Sequence, residues 1–368
     1  MPQTVFNAVE DFRYDSENSA YNRAYKHWRR HAPTSFAFRY RGGVNEVNYT
    51  EGRAAAPEDA AIAERRTLLH VSEMIGLGLL ICLVTELFGG TLLVWLARLF
   101  GLDIRLDFLT FSMRGSQWAI TAVRALRVSF KFGIPAVVMI RFLRLPAKVC
   151  APVSMHGLPE LVAAVGLAML TAAAVTLADQ SRGVELAQQI FEYKDSVAIM
   201  TYALFDVFIA SALAELMLRG AILQGLRQFG DVFAVAVSAI IGFLLPNTLA
   251  GRFGEVLIAV CSSYLMIRGG SLTKCVVLRI TYTTLIYARL ITVYAASMLP
   301  MWSFLLLLIS VGAIAMCYYV ISRRDRLRLQ NRRSFLPAAK KLFICSETVT
   351  TMPWLAASAL VAVMQIFF

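Results

Sequence analysis

The stretch AELMLRGAILQGLRQFG, residues 214–230, places a carboxylate and a guanidinium four residues apart inside a long apolar run. In a helix Glu215 and Arg219 share one face, because side chains four residues apart are neighbours. Ionisable groups are costly at membrane depth and usually face the interior of a helix bundle. The pair therefore indicates either a site or a structural ion pair inside a membrane protein.

The composition of the chain identifies its class. Of the 368 residues, 58% are hydrophobic and 16% are charged, and the apolar runs come close to the roughly 20 residues that cross a bilayer as a helix. Because a backbone in lipid must satisfy its own polar groups, we predict an all-α polytopic bundle. A soluble enzyme is excluded, since only the polar tail is long enough to build a core outside the bundle.

The apolar runs predict about nine spans with a cytoplasmic N-terminus. They lie near residues 74–98, 117–142, 158–178, 197–226, 232–250, 253–268, 273–298, 302–321 and 349–367. This topology puts the basic clusters at 65–66, 141–148 and 323–341 on the cytoplasmic side, as the positive-inside rule requires. The net charge of +12 is therefore topological and does not indicate nucleic-acid binding.

The spans divide the chain into four regions. These are a cytoplasmic tail at 1–66, N-terminal helices at 67–194, a core at 195–298, and C-terminal helices at 299–368 that include the basic loop 323–341. The loop is a candidate for contact with lipid headgroups or a partner, and a topological anchor explains it equally well.

The second span carries a basic stripe, because Arg124, Arg127 and Lys131 recur on one helical face. Such a helix could lie in the membrane interface. Removing it from the count would put the loop 323–341 on the wrong side, so we predict a span whose stripe faces other helices or water.

The tail at 1–66 has no apolar segment of the kind found in signal peptides. Its segment 21–43 is basic and aromatic, which suits contact with anionic headgroups. We favour a weakly ordered, solvated tail over that contact. The glycines Gly76, Gly78, Gly89 and Gly90 of the first span are interpreted as points of close helix packing.

The cysteines and histidines do not predict a cofactor site. The six cysteines are scattered without a C-x-x-C pair, and two of the four histidines lie in the tail. This pattern favours neither a disulfide framework nor a metal centre. We therefore predict no metal and no cofactor.

Three segments follow one another in a recognisable order: AELMLRG at 214–220, FLLPN at 243–247 and GGSLTKCVVLRITYT at 269–283. This order resembles the CAAX protease and bacteriocin-processing family, also called the Abi family of intramembrane proteases. That family's core reads E-E-x-x-x-R, then F-x-x-x-H, then H-x-x-x-N or H-x-x-x-D. The resemblance covers roughly residues 195–298 and implies a helical membrane fold with endopeptidase activity.

Most of the family's hallmark polar residues are replaced in this chain. The retained positions are Glu215 and Arg219. Ala214 stands in place of the first glutamate, Asn247 and Arg279 in place of the two histidines, and Thr283 in place of the final Asn or Asp.

These replacements remove the evident general base. Cleavage by water requires a base with a pKa near the operating pH. The Asn247 amide cannot take a proton at neutral pH, and the Arg279 guanidinium stays protonated. Glu215 would be a poor base beside a cation at Arg279. If the helices pack as in the family that the chain resembles, Arg279 would approach Glu215 and Arg219 and form a buried polar brace.

Further charges within the predicted spans suggest more ion pairs. The acids are Glu86, Asp206 and Glu215, and the bases are Arg219, Arg279 and Arg289. Three ion pairs could form among them, and the sequence does not decide which acid meets which base. Unpaired charges at that depth would be expensive.

The resemblance implies a bacterial plasma-membrane protein, and the lost residues predict an inactive member. Such a protein would act as a scaffold, a regulator or a bacteriocin self-immunity protein through a membrane-protein partner. The alternative is an active but atypical endopeptidase that uses Glu215 as base and Asn247 and Arg279 as oxyanion donors. A transporter is a minor alternative. Pro135 and Pro246 interrupt spans, and the helices of transporters are often interrupted, but we find no internal repeat of the kind that many transporters have. The oligomeric state stays open.

Overall fold

A computed structural model describes residues 12–42, 60–106, 113–154, 157–178, 196–245, 249–294, 298–324, 329 and 335–367. Within these residues the chain is helical apart from one short hairpin, in agreement with the predicted helical class. Asn247 and Pro246 lie outside the described residues, as do parts of the predicted tail and of the loop 323–341.

The helices are numbered in chain order. They are α1 Ser19–His31, α2 Phe36–Gly42, α3 Ala60–Leu99, α4 Gln117–Phe142, α5 Ala147–Cys150, α6 Leu158–Ala178, α7 Ser196–Arg227, α8 Asp231–Leu244, α9 Leu249–Gly269, α10 Leu272–Tyr294, α11 Met298–Ser322, α12 Ala338–Ser346 and α13 Thr351–Phe367. Two strands, β1 Ile104–Leu106 and β2 Met113–Gly115, form an antiparallel pair between α3 and α4.

Each of the nine predicted spans overlaps a helix of the described chain, and the spans 232–250 and 273–298 extend into residues outside the described ranges. Four helices there are long and apolar enough to cross a membrane, at Ala61–Leu99, Leu158–Ala178, Met200–Arg227 and Met301–Ser322. Two further apolar helices, Asp231–Leu244 and Thr351–Val363, are shorter. The chain is thus a helical protein with several candidate membrane-spanning segments. The helix α3 begins well before the predicted residue 74, and its 40 residues give it a length of about 60 Å.

The hairpin was not predicted from the sequence. Ile104 pairs with Gly115 in its register, and Gly115 has a φ of +134°. A Cβ atom at Gly115 would lie 2.2 Å from the Asp103 carbonyl oxygen, so glycine is required there. The hairpin closes a small apolar cluster between the end of α3 and the start of α4 that includes Val94 and Ile120.

Two glycines allow α6 and α11 to pack closely. A Cβ atom at Gly166 would lie 2.7 Å from the Ala315 Cβ, and one at Gly312 would lie 3.1 Å from the Gly166 oxygen. Of the glycines predicted to be packing points, Gly76 has the Thr351 nitrogen 2.6 Å from its Cβ position. Small residues at such crossings let helix backbones approach.

The other three glycines of α3 also face neighbouring side chains. A Cβ atom would lie 2.7 Å from the Met139 Cγ at Gly78 and 3.6 Å from Arg127 atoms at both Gly89 and Gly90. The packing interpretation of this group is therefore supported most directly at Gly76 and Gly78.

The basic stripe of α4 faces α3. Lys131 Nζ lies 3.0 Å from Glu86 Oε2, and Arg127 Nη2 lies 3.5 Å from Glu86 Oε1. Both ion pairs are partly shielded from the surface of the protein. The stripe thus contacts another helix, as predicted for a spanning segment.

The tail is ordered over residues 12–42, so the expectation of a weakly ordered tail is wrong there. The side chain of Asn18 accepts hydrogen bonds from the Ala20 and Tyr21 nitrogens, both at 3.1 Å, and so caps α1. Tyr21, Tyr25 and Trp28 then fall on one face of α1 and are buried against the bundle. Burial of aromatic surface is the physical reason for the order. Residues 1–11 and 43–59 lie outside the described chain.

The tail covers the ends of α4 and α7. Trp28 Nε1 and Thr34 Oγ1 both donate to the Leu143 oxygen, at 3.3 Å and 2.7 Å. The Phe36 nitrogen donates to Gln228 Oε1 at 2.8 Å. These bonds satisfy polar groups at the helix ends, where intrahelical partners are missing.

An ion-pair cluster joins the tail to the start of α6 and the end of α11. Arg323 lies 2.8 Å from both Glu17 and Glu160, and Lys274 lies 3.6 Å from Glu160. Burial, followed by the neighbouring Glu160 carboxylate, raises the pKa of Glu17 above its usual value of 4.5, although Arg323 and Lys274 act in the opposite direction. At the other end of the basic segment, the buried Lys341 donates to the Phe229 oxygen at 2.7 Å. Both ends of the basic segment 323–341 therefore make internal contacts.

Candidate functional site

Four charged side chains meet inside the bundle and form the buried charge cluster. Glu215 and Arg219 come from α7, Glu255 from α9 and Arg279 from α10. Glu215 and Arg219 have no exposed surface, and Arg279 is 8% exposed. The long apolar helices carry these residues into the interior, where a lone charge would be unfavourable.

Arg279 bridges the two carboxylates of the cluster. Its Nε donates to Glu215 Oε1 at 2.6 Å. Its Nη1 and Nη2 donate to Glu255 Oε1 and Oε2 at 2.8 Å and 2.6 Å. The second contact is the bidentate arrangement in which a guanidinium binds a carboxylate most specifically. All three nitrogens of the guanidinium are thereby engaged.

Arg219 is held on the other side of Glu215. Its Nε donates to Ser262 Oγ at 2.5 Å and its Nη1 to Ser238 Oγ at 2.9 Å. Its Nε also lies 3.5 Å from Glu215 Oε2. Within the described chain, Glu215 Oε2 and Arg219 Nη2 have no hydrogen-bond partner.

The local shape of α7 sets the position of these side chains. Two π-helical segments, Asp206–Ala210 and Leu216–Ile222, lie on either side of Glu215. Wide turns of this kind are rare and occur often at functional sites. The Gln224 side chain donates to the Arg219 oxygen at 3.1 Å and so satisfies a carbonyl within the widened turn. The sequence gives no sign of these segments.

The structure brings together three of the residues expected at the site. Glu215, Arg219 and Arg279 are in contact, as the order of the motifs predicted. Thr283 lies one turn further along α10, where its Oγ1 is 3.4 Å from Ser211 Oγ. Ala214 is buried, and Asn247 lies outside the described residues.

Glu255 was missed in the sequence analysis, although it lies within the predicted span 253–268. A carboxylate in a predicted span was the available signal. The sequence left the partners of Glu86 open, and the structure pairs it with Arg127 and Lys131 on the facing helix, two cations outside the set that was considered. Asp206 Oδ2 accepts a hydrogen bond from the Tyr287 hydroxyl at 3.0 Å.

The chemistry available to the cluster is limited by its pairing. Both carboxylates accept from Arg279, which cannot itself serve as a base. Within the described chain there is no group of three or more His, Cys, Asp or Glu side chains that could hold a metal ion. The neighbouring Cys275 is a buried free thiol that donates to the Ser262 oxygen at 3.1 Å. The arrangement is that of an internal ion-pair network.

The fold and the cluster define the chain as a helical, multi-pass type of membrane protein with a charged interior. No family model, curated protein or solved structure matches the chain.

Proposed function

We propose that this chain is a divergent, catalytically inactive relative of the CAAX protease and bacteriocin-processing family that acts by binding a membrane-protein partner. Its role would be that of a scaffold, a regulator or a self-immunity protein. The observation that carries this proposal is the engagement of every nitrogen of Arg279 by Glu215 and Glu255.

This pairing disfavours catalysis for a physical reason. A base for water must be free to accept a proton, and an oxyanion donor must point at the place where negative charge develops. Glu215 accepts from Arg279, while the remaining fork of Arg279 is filled by Glu255. A peptide would have to displace the Glu255 carboxylate, which is held by two hydrogen bonds, to reach that fork. The same contacts suit a brace that fixes α7, α9 and α10 relative to one another.

The proposal includes nine spans and a cytoplasmic N-terminus in a bacterial plasma membrane. Support comes from contacts that gather the basic segments at one end of the bundle. The tail reaches Leu143 at the end of α4 and Arg323 at the end of α11, and Lys341 reaches Phe229 just beyond α7. Positive charge gathered at one side favours the cytoplasmic side.

The active endopeptidase remains the second candidate because of one observation. Glu215 Oε2 has no hydrogen-bond partner within the described chain, and it lies between two π-helical segments. In that mechanism Glu215 takes a proton from water and Arg279 stabilises the oxyanion, together with Asn247. The experiment below separates the two.

The test compares three forms of the tagged full-length protein purified from its native membrane in mild detergent. They are the wild type, Arg279→Leu, and the neutral triple variant Glu215→Gln/Glu255→Gln/Arg279→Met. Mass spectrometry then identifies intact and truncated chains that co-purify. We expect an intact partner with the wild type, retained by the triple variant and weakened in Arg279→Leu, where Glu255 loses its counterion and Glu215 keeps only Arg219, at 3.5 Å.

Stability is measured on each variant, because removing one member of a buried pair costs about 3–5 kcal/mol. Lys131→Met is the matched control, since it breaks an ion pair with Glu86 elsewhere in the bundle. Partner loss in this control at equal destabilisation would show that the effect is not specific to the cluster. Fragments with a reproducible cut site that appear with the wild type and vanish in the neutral triple variant would identify an endopeptidase and refute the proposal.

A further inference from the structure

A cavity of about 980 Å³ lies between the tail and the ends of two long helices. It is lined by Arg39 of α2, His70 of α3, and Arg141 and Arg144 at the end of α4. We call it the basic cavity. Three guanidinium groups and one imidazole thus converge where α4 leaves the predicted membrane region.

The positive charge of the basic cavity is only slightly compensated. Arg141 and Arg144 are exposed, and in the described part of the chain neither forms an ion pair with a carboxylate. Arg39 is oriented by its bond from Nε to the Pro33 oxygen at 2.9 Å. The negative charge of Glu73 acts on His70. The cavity therefore favours an anion.

Part of the lining of the basic cavity is apolar. Val137, Ile140 and Phe142 of α4 line it, and Val137 and Phe142 are 65% and 52% exposed. Val137 lies about one to two turns deeper along α4 than the arginines. The cavity thus combines a cationic rim with an apolar wall that runs towards the membrane interior. A phospholipid has the same division between headgroup and acyl chain.

The tail completes the basic cavity and holds its shape. The last carbonyls of a helix carry partial negative charge and would repel an anion. At the end of α4 the Leu143 oxygen already accepts from Trp28 and Thr34 of the tail. Arg144 then turns the chain with a φ of +52°, which directs the backbone away from the helix axis. An anion at the rim would therefore meet guanidinium groups and not a free carbonyl at Leu143.

We propose that the basic cavity binds the headgroup of an anionic phospholipid, with one acyl chain along Val137 and Ile140. Guanidinium groups form strong, paired hydrogen bonds with phosphate oxygens, and basic pockets between membrane helices recognise such headgroups. This site is separate from the buried charge cluster and does not depend on the function proposed for it.

The test measures thermal unfolding of the full-length protein in dodecyl maltoside against added phosphatidylglycerol, phosphatidylcholine or inorganic phosphate. The test variant is Arg141→Gln/Arg144→Asn, in which asparagine suits the left-handed backbone at 144. The matched control is Arg23→Gln/Lys148→Gln, which removes two exposed cations from the same end of the protein without touching the cavity.

We expect phosphatidylglycerol to raise the melting temperature of the wild type and of the control, with little effect from the other two additives. The test variant should need about 25-fold more phosphatidylglycerol for the same rise, at about fivefold for each cation removed. An equal response of both double variants, or no response of the wild type, would overturn the proposal. So would an equal rise with inorganic phosphate, which would indicate an anion site without lipid specificity.

If the test variant unfolds during purification, native mass spectrometry of the wild type decides the question. Retention of phosphatidylglycerol in the presence of excess phosphatidylcholine supports the site only if Arg141→Gln alone lowers it and Lys148→Gln alone does not. Equal retention by these two single variants would overturn it.

Discussion

The tail is held to the bundle by a hydroxyl group whose removal has a calculable effect. Tyr21 donates its hydroxyl hydrogen to Gln224 Oε1 at 2.5 Å and accepts from Arg227 Nη1 at 2.7 Å. Burial raises the pKa of the Tyr21 phenol, so the hydroxyl keeps its hydrogen at any ordinary pH. Tyr25 is a matched neighbour, because its hydroxyl makes one bond, to the Gln224 oxygen at 3.1 Å.

Tyr21→Phe keeps the aromatic ring but leaves two buried partners without their bonds. A neutral hydrogen bond contributes about 1 kcal/mol and one to a charged group about 1.5–3 kcal/mol. Arg227 stays paired with Asp231 at 2.9 Å, which limits the loss. We therefore expect Tyr21→Phe to destabilise docking of the tail by about 2–4 kcal/mol and Tyr25→Phe by about 1 kcal/mol.

Hydrogen exchange in detergent, followed by mass spectrometry, measures the difference in tail docking between Tyr21→Phe and Tyr25→Phe. The amides of α1 should exchange faster in Tyr21→Phe by the factor that corresponds to the lost free energy. The second half of α6 serves as internal reference, because the ion pairs that join this helix to the tail are made at its start, by Glu160. The reasoning is refuted if Tyr21→Phe exposes α1 no more than Tyr25→Phe does. It is also refuted if the second half of α6 exchanges as fast as α1, since the change would then be a global loss of stability.

Three further predictions follow from the packing and the charges. Gly166→Val should destabilise the protein by about 1–3 kcal/mol through overpacking, whereas Gly133→Ala, whose new Cβ would have 3.9 Å to its nearest neighbour, should not, as detergent unfolding would show. Lys131→Met should cost less stability than Glu86→Gln in the same unfolding assay, because Glu86 keeps Arg127 as a partner when Lys131 is removed, whereas Glu86→Gln takes the carboxylate from both cations. Because the pKa of Glu17 is raised in the docked tail, the contribution of Glu17 to docking is fully present below about pH 4.5 and is lost as the pH rises through the raised value. In Glu17→Gln this loss should be absent when docking is measured by hydrogen exchange corrected for intrinsic rates. A pH profile equal to that of the wild type would contradict the assignment of the pH dependence to Glu17.

The location of the long helices could be predicted because the length of each apolar run can be counted in the sequence. The ordered tail could not be recognised from composition, since its buried residues are aromatic and lie among basic ones. The signal was the spacing of Tyr21, Tyr25 and Trp28, which repeats at three and four residues and defines one helical face. That spacing was outweighed by the basic charge around it.

Prediction of the candidate site succeeded where it depended on spacing and failed where it depended on helix rotation. The approach of Arg279 to Glu215 was predicted from the order of three motifs, and the structure shows it. Whether Glu86 meets Arg127 of α4 or Arg289 of α10 depends on which helices pack against α3 and on how they are rotated, which one sequence does not specify. The π-helical segment Leu216–Ile222 rotates the residues after Glu215 further and leaves no mark in the residue pattern.

The tail and the buried charge cluster are joined by hydrogen bonds as far as Arg219 and by an ion pair from Arg219 to Glu215, which gives the tail a place in any function of the cluster. Tyr21 donates to the Gln224 side chain, whose nitrogen donates to the Arg219 oxygen. Arg219 in turn lies against Glu215, which is held by Arg279. Because buried networks of this kind are stable only when their members are satisfied, release of the tail would leave Gln224 underbonded next to the π-helical turn. Docking of the tail and the geometry of the cluster are therefore expected to be thermodynamically coupled, so a partner that binds the tail would also act on the interior of the bundle.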